Sequence, residues 1–222
     1  RRQGRAKTLV TPPPAASLSP LLATLAPHFP PEIVSPSAAA QMQRAASNIF
    51  PASGIGFEAR LAGDPSEVDL CIRVIPEDGS AAILGGWHPH HRPSAAVQAD
   101  PYWQRLAQLC RLLWAADDGL LRPFVHRLGL ELDKADLGGP CARPSIIFFD
   151  MPQTKGAQGT GLVKTMTDIV LPLALERTLP DSQRKLLAFV VAAAAPFAWL
   201  RHVGASLTRP DPAVRLVFGV PL

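Results

Sequence analysis

The sequence predicts an α+β fold in which antiparallel β-hairpins alternate with helices. Paired runs at 57–74, 127–149 and 202–218 are built largely on the two-residue alternation of a strand. Each pair is split by a segment rich in Gly, Pro or Asp. Between the pairs, apolar residues recur at three and four, the spacing of a helix face.

Taken in order, residues 1–17 read as a flexible basic tail and 18–222 as a single α+β domain. Leu18 to His28 forms a short helix with Pro20 in its first turn, and Ser37 to Asn48 a second, capped by Ser37. Phe57 to Leu61 and Val68 to Val74 alternate about the turn Gly63-Asp64-Pro65-Ser66. Residues 76–99, with Gly, Pro, Ser and three histidines, read as a long loop. Asp100-Pro101 opens a helix to about 116, carrying Trp103, Leu106, Leu109, Cys110, Leu113 and Trp114. The second hairpin joins Arg127–Asp133, which alternates, to Ser145–Phe149, which is apolar on both faces. Helices follow over 161–178, kinked at Pro172, and 182–195. A third hairpin, 202–207 with 213–218, turns at Arg209-Pro210-Asp211-Pro212. The three units suggest a diverged ββα repeat of pattern rather than of residues.

Composition narrows the class. Of 222 residues 47% are apolar and 18% charged, enough to bury a core and far from a disordered chain. No run reaches the roughly 18 apolar residues of a membrane span, because Pro196 breaks Leu186 to Leu200. High proline, alanine and arginine suggest a bacterial, GC-rich source. The net charge of +4 owes much to Arg1, Arg2, Arg5 and Lys7, and no basic, aromatic-interleaved stripe follows, so nucleic acid is not expected as a partner. The chain lacks an initiator Met and an intact signal peptide, which suggests a processed or trimmed chain. Cys71, Cys110 and Cys141 are widely spaced, which fits a reducing, cytoplasmic setting better than a disulfide framework or zinc knuckle.

Alternation also sorts the ionic residues. If Phe57, Leu70, Leu130, Leu207 and Leu216 face a core, then Glu58, Arg60, Asp69, Cys71, Arg73, Glu131, Asp133, Ser206 and Arg215 share the opposite face. An open sheet leaves these charges as solvated cross-strand pairs. A closed or curled one gathers them in a polar lumen able to hold a polar or anionic ligand. The ligand-binding candidates are Glu58, Arg60, Asp69, Arg73, Glu131, Asp133 and Arg215.

The alternation of hairpins and helices, with Val203-Gly204-Ala205-Ser206-Leu207 followed by Ala213-Val214-Arg215-Leu216, resembles the αββα-barrel aromatic prenyltransferases. That resemblance implies a lumen for an isoprenoid diphosphate and an aromatic acceptor, with Arg60, Arg73 and Arg215 on the diphosphate. Six strands imply a half barrel at most, and the one tyrosine, Tyr102, lies on a helix rather than in the lumen. The strings Phe57-Glu58-Ala59-Arg60-Leu61-Ala62-Gly63, Leu130-Glu131-Leu132-Asp133 with Pro144 to Phe149, and Val203 to Pro210 also resemble a family of uncharacterised bacterial proteins, whose members are longer. No activity comes with that resemblance.

Other features carry little chemistry. His88, His90 and His91 lack an adjacent Cys or carboxylate and read as an exposed loop, so no metal is expected there. Gly156 to Gly161 lacks the Lys-Ser/Thr ending of a phosphate loop and reads as a linker. Cys110 reads as core, and Asp117, Asp118 and Asp181 as helix-end residues. No cofactor is expected. The functional expectation is an accessory or tailoring protein of bacterial specialised metabolism, binding a small ligand in a polar cavity between hairpins. The alternative is a non-catalytic partner-binding or scaffold module, with Trp87 and Trp199 as candidate exposed aromatics.

Overall fold

A computed structural model describes residues 17–59, 63–115, 124–139, 141–151, 160–208 and 213–220. The chain is α+β, and its six strands form one antiparallel sheet in sequence order. They are β1 (Gly54–Ala59), β2 (Val68–Val74), β3 (Arg127–Leu132), β4 (Ile146–Asp150), β5 (Trp199–Ser206) and β6 (Val214–Gly219). The predicted hairpins therefore also pair with one another, β2 with β3 and β4 with β5. Among the described residues β1 and β6 are the outer strands of an open sheet.

Register puts the apolar set on one face. Leu70 stands opposite Phe57 and Leu132, Leu130 opposite Ile72 and Ile147, and Phe149 opposite Leu128 and Val203. This face packs into one core with helical residues such as Met42, Trp103, Leu106, Leu109, Met166 and Leu171. Ile146, buried but on the reverse face, is not part of that core. In β5 an extra residue between Leu200 and His202 shifts the register. This bulge lets Leu200 and Val203, three apart, both be buried.

The helices are α1 (Ser19–Leu25), α2 (Pro36–Asn48), α3 (Ser80–Gly85), α4 (Ala95–Ala99), α5 (Pro101–Cys110), α6 (Lys134–Leu137), α7 (Thr160–Thr165), α8 (Leu171–Leu175) and α9 (Asp181–Ala194). A π-helical turn extends α5 over Arg111–Ala115, and another, Met166–Val170, joins α7 to α8. Among the described residues no helix is long and apolar enough to cross a membrane.

Several boundaries differ from the sequence reading. The cap of α2 is Ser35, whose hydroxyl accepts from the Ala38 amide at 3.2 Å, while Ser37 bonds the Ser35 hydroxyl. The supposed loop 76–99 contains α3 and α4. These helices of six and five residues are too short to display a helical period. Gly79 and Gly86, at φ 83° and 85°, bracket α3 in left-handed conformations, and the amides of Gly86 and Trp87 close on the Ala82 carbonyl. β1 begins at Gly54, three residues early, because Gly54 and Gly56 supply no side chains to show alternation. Leu61, residues 1–16 of the tail, Asp117, Asp118, the 156–159 part of the glycine-rich linker and the turn 209–212 lie outside the described residues.

The cap of α5 is as predicted. Asp100 Oδ1 accepts from the Tyr102 amide at 2.9 Å and the Trp103 amide at 3.4 Å, while Oδ2 accepts from Arg143 Nε at 2.8 Å. Asp100→Ala loses both the cap and the partner of Arg143. It is expected to lower unfolding free energy by about 1–2 kcal/mol in urea denaturation, with Asp100→Asn losing less.

Candidate functional site

The reverse face of the sheet carries the ionic residues, in rows that cross the strands. Glu58 on β1 pairs with Asp69 on β2. The next row runs Gly56, Cys71, Glu131, Ile146 and Ser206. The third runs Gly54, Arg73, Gly129, Phe148, Gly204 and Arg215. The fourth runs Arg127, Asp150, His202 and Val217. Of the residues predicted to gather here, Glu58, Asp69, Arg73, Glu131 and Arg215 lie on this face by register. Asp133 joins them from the N-cap position of α6. Arg60 lies outside the described residues.

One end of the face is acidic. Oxygens of Asp69, Glu131 and Asp133 lie within 4.8 Å of one another, and the Glu58, Cys71 and Glu131 donor atoms form a second such group. Two of these carboxylates are anchored. Asp69 Oδ1 accepts from the Lys134 amide at 2.9 Å, and Asp133 Oδ1 accepts from the Ser145 hydroxyl at 2.6 Å. The Ser145 amide also donates to the Glu131 carbonyl at 2.8 Å, and the hydroxyl, 3.1 Å from that carbonyl, shares its one proton between the two acceptors. Burial, then the charges of Glu58, Asp133 and Asp69, push the Glu131 carboxyl up to about 7, against a smaller opposing pull from Arg215. Burial and the same acidic surroundings push the Cys71 thiol up to about 12, so it is a neutral thiol rather than a nucleophile.

The middle of the face is aromatic and cationic. Phe148 on β4 has glycine on both sides in its row, Gly129 and Gly204. A Cβ on Gly204 would come within 2.9 Å of the Phe148 ring, so the ring lies over that glycine. The Arg215 guanidinium reaches across to 6.0 Å from the ring centre. Arg73 leans the other way: a Cβ on Gly54 would meet its Cδ at 2.9 Å.

At the far end Asp150 accepts from Arg127 Nε through one oxygen and contacts His202 Nδ1 through the other. A carboxylate held between guanidinium and imidazole orients that ring. Arg127 and Asp150 also border a cleft of about 450 Å³ with Ile75, Glu77, His126 and Met151.

Phe148, Asp150, Arg127 and His202 were not singled out in the sequence. The available signal was parity: counting by two from Glu131 and across the hairpin places Ile146, Phe148 and Asp150 beside the charges, but the run Ile146 to Phe149 hides its period because every residue is apolar. The histidine loop has a different use. The amides of His90 and His91 donate to His88 Nδ1 at 3.2 and 3.1 Å, which commits that nitrogen to shaping the turn. Cys110 is fully buried in the core, as expected.

Ionising Glu131 opposes folding. Its folded-state pKa lies above the ordinary carboxyl value of 4.5, so its contribution is fully present below about pH 4.5 and is lost as pH rises through about 7. Glu131→Gln is expected to flatten the stability profile between those values in metal-free buffer. At pH 8 it should raise stability by on the order of 2 kcal/mol, read by denaturant titration at each pH. No protein-family model matches the chain, and no curated protein or solved structure gives a match.

Proposed function

We propose that this protein is an accessory or tailoring protein of bacterial specialised metabolism that binds a small anionic ligand on the polar face of its sheet. The observation that carries the reading is the Phe148 ring laid over Gly204 with Arg215 above it, next to a second glycine gap at Gly129. A flat aromatic surface with a guanidinium beside it suits a ligand with a planar or allylic part and an anionic group. Glu131, titrating near neutrality, suits proton exchange with such a ligand.

The resemblance to αββα-barrel prenyltransferases supports an isoprenoid diphosphate as the ligand class and a half barrel as the architecture. In that reading the reverse face of the open sheet is the ligand side, and the helices cover the other face. The three free cysteines, Cys71, Cys110 and Cys141, support the cytoplasm as its compartment.

Calorimetric titration with dimethylallyl diphosphate, geranyl diphosphate and inorganic pyrophosphate tests the reading. Binding is expected to weaken about tenfold in Arg215→Ala, the loss of one charged contact, and also in Gly204→Val, which displaces the Phe148 ring. Absence of binding by all three up to about 1 mM, equivalent to about 4 kcal/mol, removes the ligand class.

A second reading, a partner-binding module, is favoured by α9 and the turn after it. Leu186, Phe189 and Phe197 are 60%, 70% and 76% exposed, and Val191 is the one buried residue of α9. A helix this apolar on its outer side suits burial under a protein partner with an apolar face. Phe189→Ser should then leave stability within about 0.5 kcal/mol of the parent while abolishing self- or partner association in sedimentation. A parent chain that is monomeric and captures nothing apolar counts against this reading.

A further inference from the structure

Among the described residues no side chain forms an ion pair with Asp69, Glu131 or Asp133 at the acidic end of the polar face. Asp69 precedes Leu70 on β2 and Asp133 follows Leu132 at the end of β3, the two leucines being paired, and oxygens of Asp69, Glu131 and Asp133 lie within 4.8 Å of one another. Lys134, the nearest lysine in the chain, sends its Nζ to the Ser66 hydroxyl at 2.9 Å instead. Glu131 is only 7% exposed, and among the described residues no donor reaches its carboxylate. Side-by-side carboxylates destabilise a strand pair, and a buried unpaired one is costlier still. Partners already fix one oxygen each of Asp69 and Asp133, which holds both groups in orientation and leaves the second oxygen of each available.

We propose that Asp69, Glu131 and Asp133 form a binding site for a hard divalent cation of the magnesium, manganese and calcium class. Three carboxylates offer oxygen alone, the donor that these ions take. Cys71 is not in this group, its sulfur lying within 4.8 Å of Glu58 and Glu131 donor atoms instead, so the three ligands offer no thiolate of the zinc type. The cation places positive charge between the three carboxylates, beyond the pull that Arg215 exerts on Glu131 alone. This site does not depend on the diphosphate reading, since its ligands all come from the chain.

Manganese binding to the full chain, freed of metal by a chelator, tests the site through the electron paramagnetic resonance signal of free Mn²⁺. One ion is expected to bind per chain, with a dissociation constant below about 1 mM and a rise in thermal midpoint. Glu131→Gln and Asp133→Asn should each weaken it at least about tenfold, and Cys71→Ser should leave it unchanged. Both carboxylate variants keep side-chain size, and their thermal midpoints in chelator separate lost binding from lost fold. Unchanged manganese affinity in both variants overturns the proposal, as does no binding at all. So does a site that takes only Zn²⁺, vanishes in Cys71→Ser and survives in Asp133→Asn. Pyrophosphate titration in chelator reads the anion separately, so failure of one idea leaves the other standing.

Discussion

Strand register is the constraint on which the rest of this structure depends. Because side chains alternate with a period of two, the pairing that buries Leu70, Leu130, Ile147 and Val203 also places Glu58, Cys71, Glu131, Phe148 and Arg215 on the reverse face. Apolar burial does most of the work in setting this alignment, at roughly 25 cal/mol per Å² of apolar surface. The polar arrangement is therefore inherited from packing. The acids around Glu131 are brought together by this packing rather than by attraction among themselves.

Much of the architecture is legible in the residues, for a physical reason. The run Val68 to Val74 alternates strictly, and its strand has those bounds. Asp100-Pro101 is a cap followed by a residue that has no amide proton to waste, and α5 starts there. Legibility fails where the side chain is missing or uninformative. Gly54 and Gly56 hide the start of β1, and α3 and α4 are too short for periodicity. The pairing of successive hairpins into one sheet depends on contacts between distant segments, which local pattern does not encode. On the polar face, the charged positions are readable because charge stands out against an apolar background. Phe148 is not, because an aromatic residue on a polar face looks like core until its glycine neighbours on adjacent strands, Gly129 and Gly204, are known.

The face is graded along the strands. Carboxylates cluster around Glu131, the arginine and the aromatic ring occupy the middle, and the Arg127–Asp150–His202 group closes the other end. Acid, cation and imidazole thus follow one another along the face and give it a polarity. Glu131 and Arg215 are close enough for the guanidinium to pull the carboxyl toward ionisation, so anything that draws Arg215 away makes Glu131 more basic. The two parts of the face are in this sense coupled.

The bulge in β5 has an evolutionary consequence. Arg201 is the supernumerary residue between Leu200 and His202, and its side chain points to water. Deleting a residue within a regular stretch of strand inverts every side chain beyond the cut relative to those before it. Losing Arg201 would instead bring Leu200 and Val203 to an even spacing with their orientations intact, and His202 would still face Asp150. Drift by insertion and deletion thus has an open door at this one position of β5, where the sheet can shorten by a single codon and give up only local curvature.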